Sequence, residues 1–468
     1  MAAAGLPTLE TLDNADVPGV KTDRRARRDI SQTTKPVGAE LARDSGVTAP
    51  LNADCTGLIA SKLAPTGIGD YHGDHYQPVV TRPRMTFDFD QVFDRHNTGS
   101  TKWSRYPADV LPMWVADMDF AAPPMIIQAL QKRLEHPMVG YSVAPDDLRD
   151  AIVADLWNKY AWRVEPQELI FLPGVESGFN MALKALVQPP QNVVVQVPNY
   201  PPLRHAPGHW GLNKVELNFD AQADGTYTTP LTTLSQSLQG GGALLLSNPH
   251  NPLGKAFPRE ELQAIADICL EQGAWIISDE IHAELCFDGR KHVPMATLSA
   301  DIARRTITLM SASKAYNIAG LKTSFMIIQD RALREKVNHA RCGMVDSVNP
   351  LGLEATRVAY SEAGPWLAEL SAYLQSNRDY LVDAVRTRLP GVTMNVPQST
   401  YLAWLDCSAL GLDNPQQFFL EQAKVGLSPG LDFGDDAGQF VRLNFGCPRA
   451  LLEEGIARME RSLRNRKA

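Results

Sequence analysis

The chain lacks a surplus of basic charge: its formal net charge is −8, which leaves no electrostatic footprint for nucleic acid. It also lacks any apolar run of about 18 residues, so no segment reads as a membrane-spanning helix. The six cysteines, at positions 55, 269, 286, 342, 407 and 447, show neither metal-ligand spacing nor a disulfide framework. Several lie inside apolar runs, where a buried reduced thiol is the expected state. The opening residues MAAAGLPTLETLDNADVPGV carry no lysine or arginine, unlike a secretory signal or a transit peptide. No internal repeat is visible. These absences lead to the expectation of a cytoplasmic, enzyme-sized protein that takes no nucleic acid, membrane or metal as partner.

What is present begins at about residue 87. Residues 1–83 are rich in Ala, Gly, Pro, Thr and Asp, carry the run KTDRRARRD (21–29), and show no sustained period. They read as an extension that is largely disordered or loosely packed. The following 230 residues alternate helical patterns, such as PPMIIQALQKRLEH (123–136) and DDLRDAIVADLWNKY (146–160), with short apolar runs of strand length. Those runs include ELIFLPG (168–174), NVVVQVP (192–198), GALLLSNP (242–249), AWIISDEI (274–281) and TITLMSAS (306–313). Runs apolar on both faces and separated by helices predict buried strands of a mostly parallel sheet, hence an α/β architecture. After about residue 350 a long helix (366–389), two strand-like runs (400–407 and 440–446) and a last helix (449–464) predict a smaller α+β unit.

Open α/β sheets bind ligands beyond the carboxyl ends of their strands, so the polar residues there carry the functional argument. The run ELIFLPG ends in Gly174 and a helix opens with Val175, Glu176 and Ser177; unpaired N–H groups at such a turn attract an anion. The run GALLLSNP leads into Asn248-Pro-His-Asn251-Pro-Leu-Gly254, a rigid loop that presents Asn251. The run AWIISDEI ends in Asp279 and Glu280, with His282 beyond. Acids set among apolar residues are costly unless something cationic meets them. Without metal-like partners, a protonated ring nitrogen is the better candidate. The run TITLMSAS leads to Lys314 behind Ser311, Ala312 and Ser313. A lysine desolvated at a strand end can be a neutral nucleophile.

The order of these motifs resembles the pyridoxal-phosphate enzymes of fold type I, the aspartate-aminotransferase superfamily. FDFDQVFDRHNTGSTKW, LPMWVADMDFAAPPMI, VGYS, SNPHNPLGKAF, SDEIHAEL, SASKAYNIAGLKTS and VRLNFGCPR are similar to its MalY/PatB branch of cystathionine and cysteine-S-conjugate β-lyases. The resemblance runs from about residue 85 to the C-terminus. It implies a three-layer fold with an arm at 84–125 joining the small domain, a large cofactor domain at 126–360 and a small C-terminal domain at 361–468.

The resemblance also implies roles. Lys314 is the covalent anchor of pyridoxal 5'-phosphate and the carrier of the Cα proton. Asp279 keeps the pyridine nitrogen protonated, Asn251 and His282 face the ring oxygen, and Tyr200 stacks on the ring. Val175 and Glu176 cradle the phosphate by backbone N–H, with Ser311, Ser313 and Lys322 as side-chain partners. Arg442 clamps the substrate carboxylate, with Asn199, Ala116 and Asp117 lining the substrate cleft. Tyr141 reaches the phosphate of a neighbouring subunit, so the expected partner is a second copy in a homodimer with shared sites. The implied reaction is α,β-elimination of a cysteine S-conjugate to a thiol, pyruvate and ammonia. Two alternatives stay open: a broad aminotransferase, and a protein of this fold that binds partners or senses ligands without catalysis.

Overall fold

A computed structural model describes residues 86–223 and 225–467; the expected extension over 1–83 lies outside the described residues. The centre is a seven-stranded sheet. Its strands run in the spatial order Leu169–Leu172, Ser324–Ile327, Thr306–Met310, Trp275–Asp279, Gly242–Ser247, Asn192–Val197, Asn213–Asn218. The last five are mutually parallel. Ser324–Ile327 alone runs against its two neighbours. This strand, SFMI, is four residues long and buried throughout, and it is not among the apolar runs read from the sequence.

Alternating residues of the central strands feed two separate cores. Val193, Val195, Leu245, Ile277, Ile307 and Leu309 pack with the helix Val175–Leu186. Val194, Leu244, Leu246 and Ile276 pack with Leu262, Ile265, Ala266 and Cys269 of Arg259–Glu271. Period-two alternation on a sheet covered by helices on both faces makes the three-layer form. The helix Val175–Leu186 is drawn tight by Gly178, where a Cβ would lie 2.4 Å from the Leu309 side chain. Its first turn therefore rests directly on the end of the sheet.

The second sheet is antiparallel and has four strands, in the order Thr393–Met394, Leu402–Asp406, Phe440–Asn444, Ser428–Pro429. It packs with the helices Gly364–Arg388 and Arg449–Lys467 in one large core that also takes in Leu111, Met113 and Phe120. Leu111–Pro112 pairs with Val425–Gly426, which brings the segment 114–120 between the two sheets' functional ends. Among the described residues no helix is long and apolar enough to cross a membrane.

Candidate active site

The parallel strands end side by side, and their register aligns the residues just beyond them. Ser247 lies opposite Asp279, and Asp279 opposite Leu309. Beyond these ends opens a cavity of about 420 Å³. Its lining includes Val175, Glu176, Tyr200, Asn251, Asp279, His282, Ser311, Ser313, Lys314, Lys322 and Ala116. Eleven of the residues singled out in the sequence thus converge on one space.

Lys314 is partly buried, and its Nζ donates to the Ala116 carbonyl at 2.7 Å. Desolvation lowers its pKa to about 8, partly offset by the Asp117 carboxylate, while Arg442 pushes the same way as burial. The amine is therefore much closer to its neutral form than a surface lysine at the same pH. Asp279 is buried, and burial raises its carboxyl to about 7 against one hydrogen bond from the Ile281 N–H at 3.2 Å. Its neighbour Glu280 turns the other way, to His292 at 2.6 Å, Ser278 Oγ at 2.8 Å and the Met295 N–H at 3.1 Å. The two adjacent acids are therefore not a pair: strand alternation sends one to the cavity and one to a closed structural network. His282 is buried with no partner on Nδ1. Desolvation holds its pKa down to about 3, so it faces the cavity as a neutral ring.

The other end of the cavity suits an anion. The N-terminus of Val175–Leu186 has no side-chain cap, which leaves its first N–H groups available. Ser311 and Ser313 lie 2.6 Å apart through their hydroxyls, and both approach the Thr323 carbonyl. Lys322 comes next in left-handed backbone (φ 49°), a turn that brings it back to the wall that holds Lys314.

Arg442 is buried just behind Asn251. Its Nη1 donates to Asn251 Oδ1 at 3.0 Å and its Nη2 to the Trp114 carbonyl at 2.8 Å, with the guanidinium 4.7 Å over the Phe433 ring. Its Nε has no partner, and burial lowers its pKa to about 10. Three predicted residues stand differently. The Asn199 amide is taken by backbone, donating to the Gln196 carbonyl and accepting from the Tyr200 N–H. Asp117 points its carboxylate at Arg95, 2.8 Å away. Tyr141 is fully exposed and away from the cavity of this chain.

The motifs did not reveal how Ala116 is held in place. Residues 114–120 form an irregular strap whose carbonyls are claimed one after another. Asn444 Nδ2 bonds the carbonyls of Val115 and Asp117, and Asn317 Nδ2 those of Met118 and Phe120. Tyr401 bonds the Ala116 carbonyl at 3.1 Å, and Lys102 that of Asp117 at 2.9 Å. The Asp119 carboxylate gathers Lys102, Arg95 and the Trp103 indole.

A lysine, an unpaired carboxylic acid and an anion pole around one cavity at the strand ends define an α/β enzyme built for an anionic, nitrogen-bearing ligand. The chain belongs to the aminotransferase class I and II family, whose profile matches residues 108–459. It is 39% identical to cystathionine beta-lyase PatB of Bacillus subtilis over 387 residues, 80% of this chain and all of that one. It is 34% identical to protein MalY of Escherichia coli, over 81% of this chain and 99% of that one. The solved structure of a PLP-bound C-S lyase from Staphylococcus hominis superposes with a TM-score of 0.76 at 29% identity, covering 81% of this chain and 98% of that chain. The fold-type I architecture and the MalY/PatB resemblance expected from the motifs are both borne out.

Proposed function

We propose that this chain is a pyridoxal 5'-phosphate-dependent carbon–sulfur β-lyase acting on cystathionine or a related cysteine S-conjugate. The observation that carries the reading is the placement of Lys314 and Asp279 in one cavity with an anion pole beside them. The residues fit the cofactor group by group. A lysine with a lowered pKa suits its carbonyl, a buried acid with no ion-pair partner among the described residues suits its ring nitrogen, and the pole of Val175, Glu176, Ser311, Ser313 and Lys322 suits its phosphate. When bound, the cofactor supplies a conjugated ring that accepts the electron pair released at the substrate Cα.

The chain's own groups do the rest. Lys314 Nζ anchors the cofactor and, once free, takes the Cα proton. Asp279 holds a proton at the ring nitrogen. Asn251 has its Oδ1 taken by Arg442, so Nδ2 is the atom that donates to the ring oxygen, beside the neutral His282. The Tyr200 ring closes one side of the cavity, and its hydroxyl is held by Glu176 at 2.6 Å. Arg442 binds the substrate carboxylate through its unpartnered Nε, a charge-assisted bond in a desolvated setting. With the proton removed from Cα, the C–S bond breaks and the thiolate leaves; hydrolysis of the remainder gives pyruvate and ammonia.

The same residues support transamination, but that reaction needs a 2-oxo acid and elimination does not. The lyases PatB and the Staphylococcus hominis protein favour elimination. A non-catalytic role is disfavoured by the convergence of Lys314, Asp279, Asn251 and Arg442. We place the protein in the cytoplasm, in keeping with its free cysteines. Leu134, Met138, Val139, Tyr141 and Val143 are exposed along one stretch, an apolar face that supports a homodimer. The experiment is to supply L-cystathionine to the purified holoenzyme without any 2-oxo acid. Pyruvate and free thiol in equal amounts are expected; turnover only with an added 2-oxo acid would establish the aminotransferase.

A further inference from the structure

The lyase reading gives every charged side chain lining the cavity a task toward cofactor or substrate except one, which it uses only to hold the Tyr200 hydroxyl. Lys314 and Asp279 serve the reacting end and Lys322 the phosphate. The remaining group is the carboxylate of Glu176. The backbone of this residue belongs to the anion pole, where a second negative charge is unwelcome. The side chain turns from it instead, and Oε1 accepts the Tyr200 hydroxyl at 2.6 Å. Glu176 is exposed, whereas Asp279, Asn251 and His282 in the same lining are buried. The carboxylate thus stands at the solvent side of the cavity. Its charge still reaches inward, raising the pKa values of both Asp279 and Lys314.

A cysteine S-conjugate has its amine and carboxylate committed to the reacting end and to Arg442. Only the group on sulfur is free to vary, and it extends towards the open side. We propose that the Glu176 carboxylate selects conjugates whose sulfur substituent carries a positive charge. The inference rests on the lyase reading for the orientation of the substrate. The competing role for Glu176 is to hold the Tyr200 ring by its hydroxyl. Glutamine keeps that acceptor and removes the charge, so Glu176→Gln separates the two.

The test compares S-aminoethyl-L-cysteine with S-propyl-L-cysteine, a neutral conjugate of equal length. The wild-type holoenzyme is expected to favour the cationic conjugate in kcat/KM by about tenfold, the worth of a partly screened charge-assisted contact. In Glu176→Gln the ratio should fall to about one, and a ratio is insensitive to any general loss in the variant. An unchanged ratio, or a wild-type preference for the neutral conjugate, overturns the proposal. Calorimetric binding of both conjugates to Lys314→Ala, with and without Glu176→Gln, gives the same ratio without turnover. If neither conjugate yields pyruvate, the lyase reading fails, and the calorimetric ratio still decides the role of Glu176.

Discussion

The cavity has two walls of different construction. The first is the row of strand ends, where Asn251, Asp279 and Lys314 each sit at or a few residues past the end of an apolar strand. Each is placed by its own strand's register and needs few side-chain contacts to stay there. The second is the strap 114–120, which has no regular structure and is fixed by side chains from residues 95, 102, 317, 401 and 444. The first wall is rigid because the sheet beneath it is rigid. The second is rigid only as the sum of its clamps. Chemistry that needs a fixed acid and a fixed base would be built on the former, and the latter meets it through the Ala116 carbonyl, which accepts from Lys314 Nζ.

The contrast predicts opposite responses to substitution. On the first wall, Lys314→Ala removes the proposed anchor and proton carrier, and the proposed turnover of cystathionine should fall by about 10⁴-fold. The midpoint of urea unfolding of the cofactor-free protein should hardly move, because a desolvated lysine was not stabilising the fold. A variant retaining more than about a tenth of wild-type turnover would remove Lys314 from the mechanism.

On the strap, Asp119→Ala leaves the buried Lys102 ammonium, 2.6 Å from the lost carboxylate, without its counter-charge. Breaking a buried pair from one side costs about 3–5 kcal/mol. The urea midpoint should drop accordingly, while the surviving folded protein keeps its capacity to bind cofactor on the other wall. Lys102→Met together with Asp119→Ala should recover much of the loss, because no unpaired charge then remains. If the single variant is as stable as wild type, the strap is not held by its ionic clamp.

The same contrast decides what could be read from the sequence. Residues of the first wall sit at the ends of strand-length apolar runs, so their positions along the chain already imply a shared edge. Even there, adjacency misled: Asp279 and Glu280 read as one acidic pair, and only the pleat separates them. The strap was legible as a motif but not as a structure. Its clamps come from far away, as when Asn444 reaches Asp117 across 327 positions. No local pattern marks Asn317, Tyr401 or Asn444, although all three lie within or beside recognisable stretches. Asn199 and Tyr141 rested on resemblance alone. In this chain the first is bonded to its neighbouring backbone and the second faces solvent.

The smallest effect probes where the walls meet, at the Ala116 carbonyl that accepts from both Lys314 Nζ and the Tyr401 hydroxyl. Only the unprotonated amine reacts with the carbonyl of the cofactor. With the Lys314 pKa lowered to about 8, uptake of pyridoxal 5'-phosphate by the apoprotein should rise about tenfold per pH unit and level off above that value. Tyr401→Phe takes one donor from the shared oxygen, making it a better acceptor for the Lys314 ammonium. Favouring the charged form raises the pKa, so the midpoint of the uptake profile should move up by about half a unit. Burial in the variant is otherwise unchanged, since phenylalanine keeps the ring packed against His282 at 6.0 Å. A midpoint that stays put, with only a uniform change in rate, would show that Tyr401 packs the strap without tuning the lysine on the facing wall.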